Sequence, residues 1–183
     1  MSVDVAVPGG RLSVNRLGSG PAAPALAVHG ITGNSQSWRA VARALEAERP
    51  LLAVDLRGRA ASRDLPGPYG LDAHVRDLIA VLDDQRLDQA VCVGHSLGAY
   101  IVARLGVLHP ERVQALVLVD GGLRIPGSQV DDAQAFLDAF LGLTLARLSL
   151  RFASLEEYLD WWHAHPAFAT GEVDDADLRA YAE

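Results

Sequence analysis

The sequence predicts an α/β fold: a mostly parallel sheet between layers of helices, followed by a block of helices alone. Three observations predict it. Short unbroken apolar runs at Ala25–Val28, Leu51–Val54, Ala90–Val93 and Val113–Val119 recur between stretches of helical spacing. That is the pattern of strands buried on both faces and joined by right-handed crossover helices. The run Ala90–Ala103, AVCVGHSLGAYIVA, passes from apolar strand through a glycine-flanked serine into helical spacing. Past Gly127 the strand signals stop.

Each element can be justified in turn. Ser2–Val7 alternates apolar and polar residues, Leu12–Leu17 alternates again, and Pro8-Gly9-Gly10 lies between them. This predicts an antiparallel hairpin. Gly18–Pro24 is a Gly/Pro-rich loop leading into the buried strand Ala25–Val28, which ends in His29-Gly30-Ile31-Thr32-Gly33-Asn34. Trp38, Val41, Ala42 and Leu45 then fall on one helical face. Leu51–Val54 is the next buried strand and closes with Asp55-Leu56-Arg57-Gly58. After a loop holding Pro66 and Pro68, Asp72 is the expected N-cap of a helix with Leu71, Val75, Leu78, Ile79 and Leu82 on its inner side. The serine unit follows, with Leu97, Ile101, Leu105 and Leu108 expected to face inward. His109-Pro110 ends that helix, and Val113–Val119 is a further buried strand ending at Asp120-Gly121-Gly122.

Beyond residue 127, Phe136, Leu137, Phe140, Leu141, Leu145 and Leu148 make a wide apolar face. Ser154-Leu155-Glu156-Glu157 reads as a capping box opening a helix with Leu155, Tyr158, Leu159 and Trp162 aligned. Asp174 is placed to cap another helix carrying Leu178 and Tyr181. The block is either a helical subdomain packed on itself or a lid over the serine, and the two are compatible. Internal repeats and low-complexity tracts are absent.

Bulk properties narrow the function. At 183 residues, half of them apolar, the chain suffices for one domain with a sizeable core. The formal charge is −7 and all 16 basic residues are arginines, with no run among them. Nucleic acid and anionic membranes are therefore not expected partners. The single cysteine, Cys92, excludes an internal disulfide and sits in an apolar run, as a core thiol would. No stretch has the length of an apolar membrane span, and the N-terminus lacks a charged-then-apolar signal pattern. A cytoplasmic location is the expectation.

The chemistry concentrates at Gly94-His95-Ser96-Leu97-Gly98, a G-x-S-x-G between predicted strand and predicted helix. The chain must reverse within a few residues, so side chains two positions either side of the serine would collide. Glycines 94 and 98 remove the collision, and the strained turn lifts the Ser96 hydroxyl above the sheet edge. The helix that follows aims its N-terminal amides at the same spot, which favours an oxyanion there. His163 and His165 near Asp160 read as a polar helix end, and no metal site is expected.

HGITGN, DLRGRAAS, GHSLGA and LVLVDGG, in this order and spacing, resemble the α/β-hydrolase superfamily, most closely its small cofactor-independent esterase, lactonase and peptidase-like members. The resemblance spans about residue 3 to about residue 122. It implies an α/β-hydrolase sandwich truncated after the sixth strand. Residues 1–128 would be the amino-terminal part of the core and residues 129–183 the start of a helical cap. It makes Ser96 the acyl-accepting nucleophile and the backbone N–H groups of Ile31 and Leu97 the oxyanion hole. Asp120 is the candidate acid, although that position more often braces a loop. His29 and His95 at these positions look structural, and Asp55 and Arg57 brace the loop after the fourth strand.

In the family the order is serine, acid, histidine, with the histidine after the last strand. The chain reaches Glu183 inside the expected cap, so the expectation is the N-terminal part of a longer hydrolase. The base would then lie outside these residues or on a second chain. The implied function is cofactor-free hydrolysis of a small ester, lactone or amide through an acyl-enzyme on Ser96. The alternatives are a catalytically inactive fragment acting as a binding module, or related chemistry of the lyase, oxygenase or peroxidase-like kind on the same fold.

Overall fold

A computed structural model describes residues 1–45, 47–123, 135, 142, 146–165 and 174–182. Six strands form one mixed sheet: β1 (Ser2–Val7), β2 (Gly10–Leu17), β3 (Ala25–Val28), β4 (Leu51–Val54), β5 (Ala90–His95) and β6 (Val113–Val119), in the order β1-β2-β4-β3-β5-β6. β1 and β2 are the antiparallel hairpin, closed by Pro8-Gly9 with Val7 opposite Gly10, and Gly9 takes a φ of +95° that suits glycine. β2 runs antiparallel to β4, while β3 pairs in parallel with β4 on one side and β5 on the other. β5 and β6 are also parallel.

The alternation of side chains along a strand explains why β3 and β4 read as unbroken apolar runs. Leu26, Val28, Leu52 and Val54 face a core shared with helices α2 (Leu71–Asp84) and α3 (Leu97–Leu108), through Val75, Leu78, Val81, Leu82, Ile101, Val102 and Leu105. Ala25, Ala27, Leu51 and Ala53 face the opposite layer, where they meet Trp38 and Ala42. Small residues on that face let the short helix α1 (Arg39–Ala44) and the 3₁₀ turn Ser35–Trp38 lie close to the sheet. The double coverage positions the site, because it fixes the ends of β3 and β5 side by side.

Four sequence expectations are corrected. Asp72 is not the N-cap of α2. Gly70 is, and Asp72 sits in the first turn, with its carboxylate taken by Arg104 Nε at 2.8 Å. Val41 and Leu108 are 40% and 41% exposed, because each lies at the margin of its helix's apolar stripe. β6 forms as a strand but is not buried: Leu116, Val117 and Val119 are 40–46% exposed. Among the described residues β5 is its one hydrogen-bonded neighbour, and Val113 and Leu118 alone of its side chains reach the core.

Met1–Leu123 and Asp174–Tyr181 form one compact unit, and the helix α4 (Leu155–His163) belongs to a second. In the latter, Ser154 Oγ accepts from Glu157 N at 3.2 Å, while Glu157 Oε2 reaches back to Ala153 N, one residue before the expected partner. Leu159 and Trp162 are buried, and Arg147 lies over the Trp162 ring at 4.8 Å. Phe136, Leu137, Phe140, Leu141 and Leu145 lie outside the described residues, and Leu148 is exposed. Asp174 caps α5 (Asp175–Ala182), its Oδ1 accepting from Ala176 N at 2.8 Å.

Candidate active site

The strand β5 delivers the chain to Ser96, and α3 leaves it one residue later. Ser96 takes φ +50° and ψ −115°, a conformation that costs a non-glycine residue about 1–3 kcal/mol. Its N–H donates to the Val119 carbonyl at 2.9 Å, and its own carbonyl accepts from Ala99 N at 3.0 Å. Serine is a favoured N-cap residue, yet this serine makes no side-chain cap bond to the helix it begins. Helix geometry leaves the Leu97 and Gly98 amides without an intrahelical acceptor.

The flanking glycines are dictated by contact. A Cβ on Gly98 would strike the carbonyl of Val28, and one on Gly94 would strike the carbonyl of Gly98. Strand β3, β5 and the first turn of α3 therefore meet backbone to backbone. Gly121, after β6, is as tightly placed: a Cβ there would lie 2.8 Å from the Ser96 carbonyl oxygen.

The loop after β3 lies against this turn. A Cβ at Gly30 would sit 3.0 Å from His95 Nδ1 and 3.4 Å from Ser96 Cβ. His29 is buried, and Leu56 N–H donates to its Nε2 at 3.1 Å. The remaining ring proton is therefore on Nδ1 and is donated to the Gly30 carbonyl at 2.7 Å. Burial pushes the imidazole down to about 4, outweighing the Gly30 carbonyl and Asp55, which act the other way. Both ring nitrogens are spoken for, so His29 braces the loop and is no base, as its sequence position indicated. Gly33 N–H also donates to the Gly30 carbonyl, at 3.0 Å, and Arg59 Nε donates to the Ile31 carbonyl at 2.8 Å.

Asp55 and Arg57 brace as expected. Asp55 Oδ1 accepts from Ser35 N at 2.7 Å. Arg57 donates to both oxygens of Asp77 at 2.6 Å, and to the carbonyls of Pro66 and Pro8 at 2.8 and 3.3 Å. Both partners of this fork-to-fork pair are buried. Asp77 was missed in the sequence, although it interrupts the apolar stripe of α2 beside Leu78, and that is a signal of a buried partner. His95 Nε2 and Asp120 Oδ2 are 4.0 Å apart, the former side chain half-exposed and the latter open to solvent. Asp120 itself has φ +51°. Cys92 is buried in β5 with its thiol pushed up to about 12 by burial, which removes it as a nucleophile. Among the described residues no group of three His, Cys, Asp or Glu side chains could hold a metal ion.

With this geometry in hand, comparison with known proteins is direct. Residues 25–167 match the alpha/beta hydrolase fold family. The chain belongs to this family. It is 34% identical over 166 residues to "Lipase LipV" of Mycobacterium tuberculosis H37Rv, covering 91% of this chain and 57% of LipV. It is 37% identical over 112 residues to "Bifunctional epoxide hydrolase 2" of Sus scrofa, covering 60% of this chain and 20% of that protein. Among solved structures, E-2-(acetamidomethylene)succinate hydrolase superposes on all of this chain with a TM-score of 0.77 at 26% identity, over 63% of its own length. The chain thus spans between a fifth and two thirds of the length of these α/β-hydrolase relatives. Its six-stranded sheet is open at β6 among the described residues.

Proposed function

We propose that the protein is a serine hydrolase acting on a small ester, lactone or amide through an acyl-enzyme on Ser96, without a cofactor. The observation that carries this reading is the Ser96 turn between β5 and α3, with φ +50° and ψ −115° and no side-chain cap bond from the serine to the helix it begins. Ser96 Oγ gives its proton to a base and attacks the carbonyl carbon. The proton passes to the leaving group as its bond to the carbonyl breaks, and water then hydrolyses the acyl-enzyme. The negative oxygen formed by the attack is received by the N–H groups of Leu97 and Ile31. Loss of one such donor typically costs about 3–4 kcal/mol of transition-state stabilisation. A serine at this turn favours acyl transfer over epoxide opening, because Oγ attack on an epoxide would leave an ether that water does not readily cleave, whereas an acyl ester is hydrolysed and frees the serine. The name of the lipase relative, which aligns over most of this chain, agrees.

The base is assigned to a histidine outside the 183 residues, on the rest of a longer protein or on a second chain docked beside β6. His29 is fully engaged, and among the described residues no histidine bonds to Ser96 Oγ. Asp120 is the proposed acid, placed at the end of β6 beside the serine turn. The acidic charge and the lack of any run of basic residues are the grounds for proposing a cytoplasmic enzyme working on a small molecule, with neither nucleic acid nor an anionic membrane as partner.

A fluorophosphonate probe tests this. The complete protein, or these residues complemented by the missing part, should be labelled at Ser96. Labelling that persists in Ser96→Ala overturns the reading. The second reading, a catalytically silent binding module, is favoured by the open edge of β6 and the missing base. Turnover of an activated ester by the 183 residues alone, abolished by Ser96→Ala, would exclude it.

A further inference from the structure

The loop that carries Ile31 is held from a distant part of the chain. Helix α5 is anchored on the sheet unit by Asp177, which takes Arg39 Nε at 2.9 Å and Arg43 Nη2 at 2.5 Å. From that helix the Tyr181 hydroxyl donates to the Thr32 carbonyl at 3.1 Å, and the Tyr181 carbonyl accepts from Asn34 Nδ2 at 2.9 Å. Asn34 Oδ1 in turn accepts from Gln36 N at 2.9 Å, so one asparagine ties the loop, the 3₁₀ turn and α5 together.

A trans peptide is planar, with its C=O and N–H pointing in opposite directions. The Thr32 carbonyl and the Gly33 N–H belong to one such plane. The Gly30 carbonyl and the Ile31 N–H belong to another. Gly33 N–H donates to the Gly30 carbonyl at 3.0 Å, which links the two planes. Fixing the Thr32 carbonyl therefore fixes the Gly33 N–H, which fixes the Gly30 carbonyl, which aims the Ile31 N–H. His29 Nδ1 and Arg59 Nε hold the Gly30 and Ile31 carbonyls, so Tyr181 closes a set of three consecutive carbonyls bound from three directions.

We infer that Tyr181 is a positioning residue for the oxyanion hole, acting through the Thr32 and Gly30 peptide planes to orient the Ile31 amide. The inference rests on the serine-hydrolase reading for its chemistry, while the hydrogen-bond chain can be examined independently. By this route the segment after the cap block reports its docking to the site of charge development. A substrate that moved α5 would change the donor's aim without touching Ser96.

The test is Tyr181→Phe, which removes one oxygen and keeps the ring. Two quantities are read on the complete protein, or on these residues complemented by the missing part: the second-order rate of Ser96 phosphonylation by a fluorophosphonate, and amide hydrogen exchange at Gly33 by NMR. Misaiming a donor is milder than deleting it, so the labelling rate should fall roughly tenfold, against 10²–10³ for a lost donor. Gly33 exchange should accelerate by about tenfold or more, with Leu26 in β3 unchanged. A merely structural tyrosine would lower the melting temperature and leave the labelling rate per folded molecule and Gly33 protection at wild-type values, and that result overturns the inference. If the wild type is not labelled at Ser96, the hydrolase reading fails, and unchanged or faster Gly33 exchange still decides the clamp. Should Tyr181→Phe not be recovered folded, Asp177→Asn, which loosens the helix from Arg39 and Arg43, should give the same signature.

Discussion

Helix α3 contains two glycines whose surroundings predict opposite outcomes for the same substitution. Gly98 lies in its first turn and Gly106 near its end. In an exposed helix Gly→Ala is worth up to about 1 kcal/mol of stabilisation. At Gly106 the nearest atoms to the new methyl all belong to the Leu116 side chain, Cδ1 at 3.0 Å being the closest, the end of a half-open flexible side chain on β6. Moving that methyl costs a few tenths of a kcal/mol, so Gly106→Ala should be neutral or stabilising by about 0.5 kcal/mol. At Gly98 the methyl meets the Val28 carbonyl and lies 2.8 Å from the His29 carbonyl oxygen. Neither can give way without dragging the end of β3, which is hydrogen-bonded to strands on both sides. Overpacking against side chains costs about 1–3 kcal/mol, and backbone leaves less room to relax, so about 3 kcal/mol or more is expected. The two variants should therefore differ by roughly 3–4 kcal/mol, or about 6–16 °C in melting temperature for a chain of this size. Urea unfolding followed by circular dichroism measures both. If Gly98→Ala unfolds at the wild-type midpoint or above, the backbone contact between β3 and the serine turn is wrong, and the argument for the G-x-S-x-G spacing goes with it.

Two further predictions follow from buried charge. His29 is held neutral with its pKa at about 4, against about 6.5 unfolded, so between those values the unfolded chain binds a proton that the native one refuses. Stability contributed by this group is complete above pH 6.5 and declines as pH falls toward 4, by up to about 3 kcal/mol. Urea midpoints from pH 7 to 4 should show this slope in the wild type and a smaller one in His29→Gln, and equal slopes would reject it. Removing either partner of Arg57–Asp77 strands a buried charge, so Arg57→Met or Asp77→Leu should each cost about 3–5 kcal/mol, whereas the double variant should cost clearly less than their sum. Additive losses in a double-mutant cycle would mean that the pair is not coupled.

Much of the sheet was legible because β3 and β4 are covered on both faces, which forbids polar residues at every position and leaves an unambiguous run. The same reasoning failed at β6, where an apolar run is equally continuous but, among the described residues, has one neighbour. An apolar string marks a strand; it does not say what covers it. Helix margins were the other weak point: Val41 and Leu108 are apolar by composition and exposed by geometry, and Gly70 caps α2 where Asp72 offered the better side chain. Within the site, the turn at Ser96 was legible because its glycines answer to a local steric demand. His29 could be set aside as a base from chain order alone. The links Arg57–Asp77 and Tyr181–Thr32 were not legible, since they join residues 20 and 149 positions apart and no local pattern records such a meeting.

The way α3 begins has a consequence for the loaded protein. Its first turn is closed by the main-chain oxygen of residue 96, and no bond of the helix depends on that residue's side chain. A substituent attached to Oγ therefore breaks nothing in the scaffold that presents it. On the proposed acyl-enzyme route, Oγ would be filled and emptied through many cycles while the helix beneath it stays as it was.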